Sequence, residues 1–230
     1  MKVGRFLSDA LRKLTDNQKQ GTIADRMRQR RFRFFLSFLS DFKKPLTILD
    51  LGGTQEFWER MDFIAEEDVE IVLLNRERIK VNHSHLCSVI GDARNLEMFS
   101  DKSFTVVFSN SVIEHVGVFA DQLRMAKEMT RVGEGYFLQT PSKFFPIEPH
   151  FLIPFFQFLP VAGRVALVRK FNCGWFRGAN RVEEATKIRL LSRRNLRTMF
   201  PDGHICTEKI LGATKSYMVF GKTQPRPRCN

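Results

Sequence analysis

The chain has 230 residues, of which 43% are hydrophobic and 27% are charged, and its net charge is +12. This composition excludes a disordered chain, and the length allows a sizeable core without a disulfide or metal staple. The four cysteines, at positions 87, 173, 206 and 229, form no Cys-x-x-Cys pair, which excludes a zinc ribbon or a thioredoxin motif. Scattered thiols suit a reducing compartment, and the charged N-terminus lacks the apolar segment of a signal peptide, so we expect a cytoplasmic protein.

The positive charge is concentrated at the two ends of the sequence. Residues 1–44 carry twelve Lys and Arg against four acids, and residues 143–230 carry sixteen against five. Residues 45–142 carry nine against sixteen and are therefore acidic. An anionic partner would meet the flanks rather than the middle of the chain.

Residues 1–44 are predicted to be helical, because apolar residues at positions 32, 35, 36 and 39 form one stripe. Five arginines stand in or just before this stripe, at positions 26, 28, 30, 31 and 33. Two interpretations stay open. The arginines form a solvated face of a helix that packs on the main domain, or they contact an anionic surface such as the inner face of a membrane.

From Pro45 onward, short apolar runs alternate with helical stretches, which predicts a parallel sheet covered by helices on both faces. The predicted strands are Leu46–Leu51, Val69–Leu74, Ser88–Ile90, Phe104–Phe108 and Gly135–Gln139, and the helices between them are Gln55–Glu66 and Glu114–Arg131. Ser192–Phe200 is predicted to be a helix capped by Ser192. The closing strands, Ile205–Leu211 and Tyr217–Gly221, are joined by a short turn and must pair antiparallel.

Four of the predicted strands end in residues suited to ligand binding. Ligands of parallel sheets bind beyond the carboxyl ends of the strands. Adjacent glycines after the first strand would let a ligand approach the backbone closely, and the next helix would offer its N–H groups. The four strand ends read Asp50-Leu51-Gly52-Gly53-Thr54, Leu74-Asn75-Arg76-Glu77, Gly91-Asp92-Ala93 and Ser109-Asn110-Ser111.

These segments resemble the class I S-adenosylmethionine-dependent methyltransferases, most closely the type 11 group, over roughly residues 46–140 and again in the final hairpin. ILDLGGTQEFW resembles the first motif of the family, and FSNSVIEHV resembles its fourth-strand segment. The resemblance implies an α/β, Rossmann-like methyltransferase fold with a mostly parallel seven-stranded sheet and an antiparallel last strand. We expect one domain over residues 1–230. Its parts are N-terminal helices (1–44), a cofactor-binding core (45–140), a lid insertion (141–181) and a C-terminal helix and hairpin (182–230).

The resemblance also implies the cofactor, S-adenosylmethionine, and the residues that contact it. Asp50, Gly52 and Gly53 would face its methionine part, Asn75 its ribose, and Asp92 with Ala93 its adenine, while Ser109 and Asn110 would line the site from the fourth strand. Thr54 stands where the family has its second glycine, and Asn75 where it usually has an acid. These two departures keep open a binding protein of the same fold that has lost catalysis.

Two histidines are candidates for a general base, which a hydroxyl acceptor would need. His115 follows the fourth strand and His150 lies in the lid, and the sequence leaves the choice between them open. Some quinone-pathway relatives bind a metal through Glu-x-x-Glu-His. Because Ser111 occupies the first of these positions, we predict no metal here.

The lid insertion is the segment expected to select the acceptor. Residues 141–181 contain five of the nine prolines, too many for a membrane-spanning helix, and six phenylalanines lie between positions 144 and 158. The phenylalanines form the core of a lid, or they form an apolar acceptor channel or a surface that enters a membrane interface.

The expected function is methylation, on oxygen, of a small or amphipathic acceptor linked to a lipid or a glycan. A protein methyltransferase and a non-catalytic binding protein remain alternatives. Nucleic acid is a disfavoured substrate, because the fourth strand is followed by Ser-Asn-Ser-Val rather than an Asn/Asp-Pro-Pro-aromatic run. A nicotinamide cofactor is disfavoured because Gly-x-Gly-x-x-Gly is absent.

Overall fold

The computed structural model describes residues 21–64, 66–171, 174, 176 and 180–223. The strands are β1 Leu46–Leu51, β2 Val69–Asn75, β3 Leu86–Ile90, β4 Phe104–Asn110, β5 Gly133–Pro141, β6 His204–Ile210 and β7 Ala213–Lys222. The helices are α1 Ile23–Leu39, α2 Gln55–Arg60, α3 Phe119–Val132, α4 Val161–Lys170, α5 Asn180–Lys187 and α6 Arg193–Met199, with 3-10 helices at Ile113–His115 and Phe156–Phe158.

The seven strands form one sheet in the order β3-β2-β1-β4-β5-β7-β6. Strands β1 to β5 are parallel, and β7 runs antiparallel to both of its neighbours, β5 and β6. The predicted Rossmann-like architecture is therefore confirmed. The strand order reverses between β1 and β4, and a ligand site is expected at the carboxyl ends of these central strands.

Alternating side chains of the strands face two apolar layers. Ile48 of β1 packs with Phe35 of α1 and Trp58 of α2 on one face, whereas the adjacent Leu49 packs with Met125 of α3 on the other. All five of these side chains are fully buried. Each such side chain contributes about 1.5–3 kcal/mol by leaving water. This burial holds the central strands, and with them their carboxyl ends, in fixed positions.

Several predicted helix boundaries are wrong. Helix α1 begins at Ile23, with the Thr22 side chain accepting from the Asp25 N–H, while residues 1–20 lie outside the described part of the chain. Helix α2 ends at Arg60 rather than Glu66. Asp62 adopts a positive φ of 53°, and the turn that follows places the Phe63 ring 5.5 Å from that of Phe32. Contact with α1 thus overrides the local apolar spacing.

Helix α3 also differs from its prediction, because it begins at Phe119 rather than Glu114. Ile113–His115 forms a separate 3-10 helix, and Gly117, at a φ of 127°, divides it from α3. The Asp121 carboxylate accepts the Val118 N–H at the start of α3. This break matters for the site because it sets His115 at the sheet edge rather than on the α3 surface.

The predicted Ser192 cap is confirmed: its hydroxyl accepts from the Asn195 N–H.

The lid insertion has a small core of its own. Phe151 and Phe156 are buried with Val168 of α4 and with Ala185 and Ile188 at α5. Three other phenylalanines are turned outward, with exposed fractions of 62%, 60% and 48%: Phe144, Phe155 and Phe158. The core interpretation therefore holds for Phe151 and Phe156, whereas for the exposed phenylalanines the acceptor channel and the membrane interface stay predictions. Among the described helices, none has the length and apolar character to cross a membrane.

Candidate cofactor and acceptor site

Two adjoining cavities lie at the carboxyl edge of the central strands. The larger, about 380 Å³, lies over the ends of β1, β2 and β3, and the smaller, about 150 Å³, lies between β1 and β4. Gly52 lines both cavities, so they meet at the loop after β1. The larger cavity is lined by Gly52, Leu74, Asn75, Arg76, Glu77, Ile79, Gly91, Asp92, Ala93, Arg94, Ser111, Val112, His115 and Val116. The smaller is lined by Asp50, Gly52, Gly53, Thr54, Phe57, Phe108 and Asn110.

The loop after β1 needs both of its glycines. Gly52 has a φ of 74°, a conformation that side-chain-bearing residues rarely adopt, and a Cβ there would lie 2.7 Å from the side chain of Val112. A Cβ on Gly53 would lie 1.8 Å from an oxygen of Asp50. Thr54, in place of a further glycine, caps α2 by accepting the Phe57 N–H. The bare backbone of the loop is thus open to a ligand.

Asp50 is a buried carboxyl group at the end of β1, with 2% of its surface exposed. Burial raises its pKa to about 7, although a hydrogen bond from the Trp58 Nε1, at 2.8 Å, works in the opposite direction. A group with a pKa near neutrality can ionise when a cationic ligand approaches. S-adenosylmethionine carries such a charge, so Asp50 suits its predicted place beside the methionine part.

Because Asp50 holds its proton more tightly in the folded chain, stability should fall as the pH rises. The free energy of unfolding is expected to be highest below the unfolded-state pKa of 3.8 and to decrease until the pH passes the folded-state pKa of about 7. The full loss is on the order of 4 kcal/mol, at about 1.4 kcal/mol for each pKa unit. Urea unfolding of the wild type and Asp50→Asn at pH 5 and pH 8 measures it.

The Asp50→Asn variant keeps an acceptor for Trp58 and has no charge to bury, so the stability decrease between pH 5 and pH 8 should be much smaller in it. An equal decrease in both proteins would contradict the assignment to Asp50.

Asn75 and Asp92 line the larger cavity, and both offer hydrogen-bond acceptors to a ligand. The Asn75 Nδ2 donates to the Gly53 carbonyl at 2.9 Å, which ties β2 to the glycine loop and leaves its Oδ1 to accept from a ligand hydroxyl. Arg94 donates to both oxygens of Asp92, at 2.9 and 2.5 Å, and holds the pKa of that carboxyl down at about 2. The cavity therefore offers acceptors for ribose hydroxyls and for the adenine amino group.

This donor and acceptor set fits S-adenosylmethionine. The glycine backbone, Asn75, Asp92 and Ala93 are brought together around one cavity, as the sequence predicts. Asn110 lies on the smaller cavity, whereas Ser109 is fully buried and lines neither of the two. The individual contacts of these residues with a cofactor stay predictions. Sequence reasoning missed Trp58 and Arg94, although Arg94 stands only two residues after the carboxylate that it orients.

The two candidate bases, His115 and His150, are in contact with each other. Their Nε2 atoms are 3.2 Å apart, and their rings are nearly perpendicular. His115 lines the larger cavity, so the pair lies at its rim. The sequence treats these residues as alternatives, one beside the cofactor and one in the lid, whereas the structure makes them one unit.

Carboxylates surround this imidazole pair. The Nδ1 of His115 is 3.3 Å from Glu184 of α5, and the Nδ1 of His150 is 2.6 Å from Glu148. Glu148 is almost fully buried, and its other oxygen accepts the N–H groups of His150 and Phe151. Burial lowers the pKa of His150, but the neighbouring carboxylates more than offset this and raise it overall. Sequence reasoning missed both carboxylates, and only Glu148, two residues before His150, left a local signal.

Comparison with known proteins agrees with this geometry. Residues 57–138 match the family described as "Methyltransferase domain". Two uncharacterized proteins of Mycobacterium tuberculosis, MT1557 of strain CDC 1551 and Rv1509 of strain H37Rv, are 37% identical to the chain over 60 residues. That segment is 26% of this chain and 20% of theirs, so the match spans about a fifth of the length of these curated relatives.

Solved structures show the same fold at low sequence identity. The N-terminal domain of EvdMO1 with SAH bound aligns with a TM-score of 0.53 at 16% identity, covering 86% of this chain and 81% of that one. The PH0226 protein of Pyrococcus horikoshii OT3 aligns with a TM-score of 0.54, also at 16% identity, covering 93% and 96%. The CurJ carbon methyltransferase reaches 0.57 at 11% identity, covering 94% and 58%.

The fold and the site therefore define a Rossmann-like methyltransferase domain. More narrowly, residues 57–138 match the methyltransferase domain family, and solved methyltransferase structures share the fold. The predicted fold is confirmed, and the match over residues 57–138 supports the predicted family and its cofactor. The acceptor is a separate question, to which the imidazole pair and the lid are relevant.

Proposed function

We propose that the chain transfers a methyl group from S-adenosylmethionine to a hydroxyl group of an amphipathic acceptor. The single observation that carries this proposal is the His115–His150 pair at the rim of the larger cavity. The cofactor supplies a methyl group that is already activated on a sulfonium, so the protein has to position the acceptor oxygen, accept its proton and exclude water. An imidazole beside the cavity suits the proton-accepting task.

The two departures from the family motif have structural roles that preserve the site. Thr54 caps α2, and Asn75 ties β2 to the glycine loop, so the positions that lack the usual glycine and acid still shape the cavity. A non-catalytic binding protein would have no use for two imidazoles in contact at the cavity rim, each held by a carboxylate. This favours an enzyme over the non-catalytic alternative.

The test is methyl transfer from labelled S-adenosylmethionine into an extract, followed by separation into lipid, glycan and protein fractions. The proposal expects label in the lipid or glycan fraction, in a methyl ether bond, and at least a hundredfold less of it with His150→Ala. Label confined to protein would favour a protein methyltransferase. A chain that binds the cofactor but labels no fraction would favour the binding protein.

An amphipathic acceptor is supported by the outward phenylalanines of the lid. Phe144, Phe155 and Phe158 lie within 15 residues of one another, and the rings of Phe144 and Phe158 are 6.2 Å apart. The lid that bears them also bears His150. Aromatic rings on such a surface can enter the interface of a bilayer and place the acceptor site next to its lipids.

The arginines of α1 divide between the interior and the surface. Arg28 is buried, and Arg31 donates to Glu208 at 2.9 Å, so neither is available to a membrane. Arg26, Arg30 and Arg33 are exposed, and these three would meet anionic headgroups. Membrane contact through α1 is therefore a proposal about three arginines rather than five.

Replacing Phe144, Phe155 and Phe158 together by Ser should weaken partitioning onto phosphatidylserine-containing vesicles at least tenfold, because each ring loses about 1 kcal/mol of partial burial. Sedimentation with vesicles of that composition measures the effect. Leu211→Ser is the matched control, since Leu211 is fully exposed at the β6–β7 turn. Equal binding by the triple variant and the control would contradict a role for the lid.

A further inference from the structure

The carboxylates around the His115–His150 pair suit the binding of an ion at this site as well as the transfer of a proton. Each imidazole presents its Nδ1 to a carboxylate, Glu184 for His115 and Glu148 for His150. In a neutral imidazole this contact favours the tautomer in which the Nδ1 carries the hydrogen and donates to the carboxylate, so that the Nε2 keeps its lone pair. The two Nε2 atoms lie 3.2 Å apart, so one ligand could contact both.

Two imidazole lone pairs that face each other across 3.2 Å repel unless a positive charge lies between them. The separation itself is informative. Two nitrogen ligands at 2.0–2.1 Å from a tetrahedral metal ion are about 3.3 Å apart. The observed distance between the Nε2 atoms of His115 and His150 is close to this value.

Glu114 could supply a third ligand atom beside the two imidazoles. This side chain is fully buried, and its Oε2 accepts from the Thr140 hydroxyl at 3.0 Å. Within the described part of the chain, its Oε1 is buried and has no hydrogen-bond partner. A buried carboxylate oxygen without a hydrogen-bond partner costs free energy, so a ligand is expected beside the Glu114 Oε1. One ligand atom from each of Glu114, His115 and His150 lies within 4.8 Å of the other two.

We propose that Glu114, His115 and His150 bind a divalent transition-metal ion such as Zn²⁺, with Glu148 and Glu184 orienting the two imidazoles. Two His and one Glu form a ligand set that leaves one coordination position open in catalytic zinc sites. Carboxylates on the outer nitrogens are the usual second layer of contacts in such sites. The prediction of no metal rests on Ser111 alone and does not consider a ligand from the lid.

The site deepens the proposed function and rests on it for its role. Because His115 lines the cofactor cavity, an acceptor hydroxyl bound in the open position would lie beside that cavity. With both Nε2 atoms on the ion, the imidazoles would act through it rather than as free bases. A divalent ion lowers the pKa of a bound hydroxyl and orients its oxygen for methyl transfer, and the hydroxyl proton would leave to water. The ion binding itself can be measured without any acceptor.

The experiment is a Co²⁺ titration of the purified full-length chain after treatment with a chelator, followed by visible absorption and equilibrium dialysis. One equivalent of Co²⁺ should bind, and its visible absorption should be that of a four-coordinate ion. His150→Ala and Glu114→Gln should weaken binding by more than tenfold. Glu148→Gln changes no ligand and should weaken it by about 10–100-fold through the orientation of His150.

The double variant His83→Ala, His85→Ala is the matched control, because these two rings also lie close together, 5.6 Å apart, in the connection between β2 and β3. It should bind Co²⁺ as the wild type does. S-adenosylhomocysteine affinity and circular dichroism show whether each variant is folded. If His150→Ala or Glu114→Gln does not fold, Glu148→Gln takes its place in the test.

A wild type that takes up no Co²⁺, or that loses no more affinity in His150→Ala than in the control, would overturn the metal site. The proton shared by two imidazoles would then account for their distance. One bound Co²⁺ together with methyl transfer at an undiminished rate by the metal-free chain would support the site, refute its role in transfer and leave the proposed function intact. One bound Co²⁺ without any methyl transfer would support the site and refute the function.

Discussion

His115→Ala and His150→Ala are each expected to reduce methyl transfer by a hundredfold or more. The two imidazoles are 3.2 Å apart and share one site at the rim of the cavity, so removing either leaves the other misplaced. Groups that act as a unit give non-additive losses, and the double variant should be little worse than either single one. Initial rates at saturating S-adenosylmethionine measure this effect.

The two variants should differ in cofactor affinity. His115 lines the larger cavity, so His115→Ala should weaken S-adenosylhomocysteine binding modestly, whereas His150 does not line it and His150→Ala should leave binding unchanged. His83→Ala provides a control in the β2–β3 connection. Losses of only a few-fold in both single variants would show that the pair is not part of the reaction.

Gly52→Val is expected to abolish binding of S-adenosylmethionine. The backbone at this position has a φ of 74°, which costs a branched residue about 1–2 kcal/mol, and the new Cβ would lie 2.7 Å from Val112. The valine methyl groups would also occupy space at the junction of the two cavities, since Gly52 lines both. Calorimetric titration of the variant measures the loss.

Gly212→Val separates the backbone strain from the loss of ligand space. Gly212 has a φ of 83° at the β6–β7 turn, and no atom lies within 4 Å of the position that its Cβ would take. Its substitution should lower stability while leaving cofactor affinity unchanged. Wild-type affinity in Gly52→Val would mean that the ligand lies elsewhere than the β1 loop.

The sheet was predictable because buried parallel strands are short apolar runs that end in glycine or polar residues. Leu46–Leu51 is predicted and observed with the same bounds. Helix ends were less predictable, since they depend on contacts distant in sequence. The apolar spacing through Met61 and Phe63 suggests a longer α2, but Phe63 leaves the helical path to pack against Phe32 of α1.

The candidate site was predictable only where the strands themselves carry it. The glycine loop, Asn75 and Asp92 follow strand ends, and parallel strands bring their ends to one edge. The imidazole pair was not predictable as a pair, because 35 residues separate His115 from His150 and no local pattern links them. Glu184 comes from a third segment, 69 residues after His115, and no local pattern links it to either histidine.

The most direct test of the central claim is a titration of the purified wild-type chain with S-adenosylhomocysteine, followed by calorimetry and by thermal unfolding. A single equivalent should bind, and the melting temperature should rise with ligand concentration, because a ligand that binds only the folded chain stabilises it by mass action. S-adenosylmethionine should compete for the same site. A wild-type chain that is folded, releases no binding heat and shows no change in melting temperature at millimolar ligand would contradict the assignment of the cavity at the β1 loop to this cofactor.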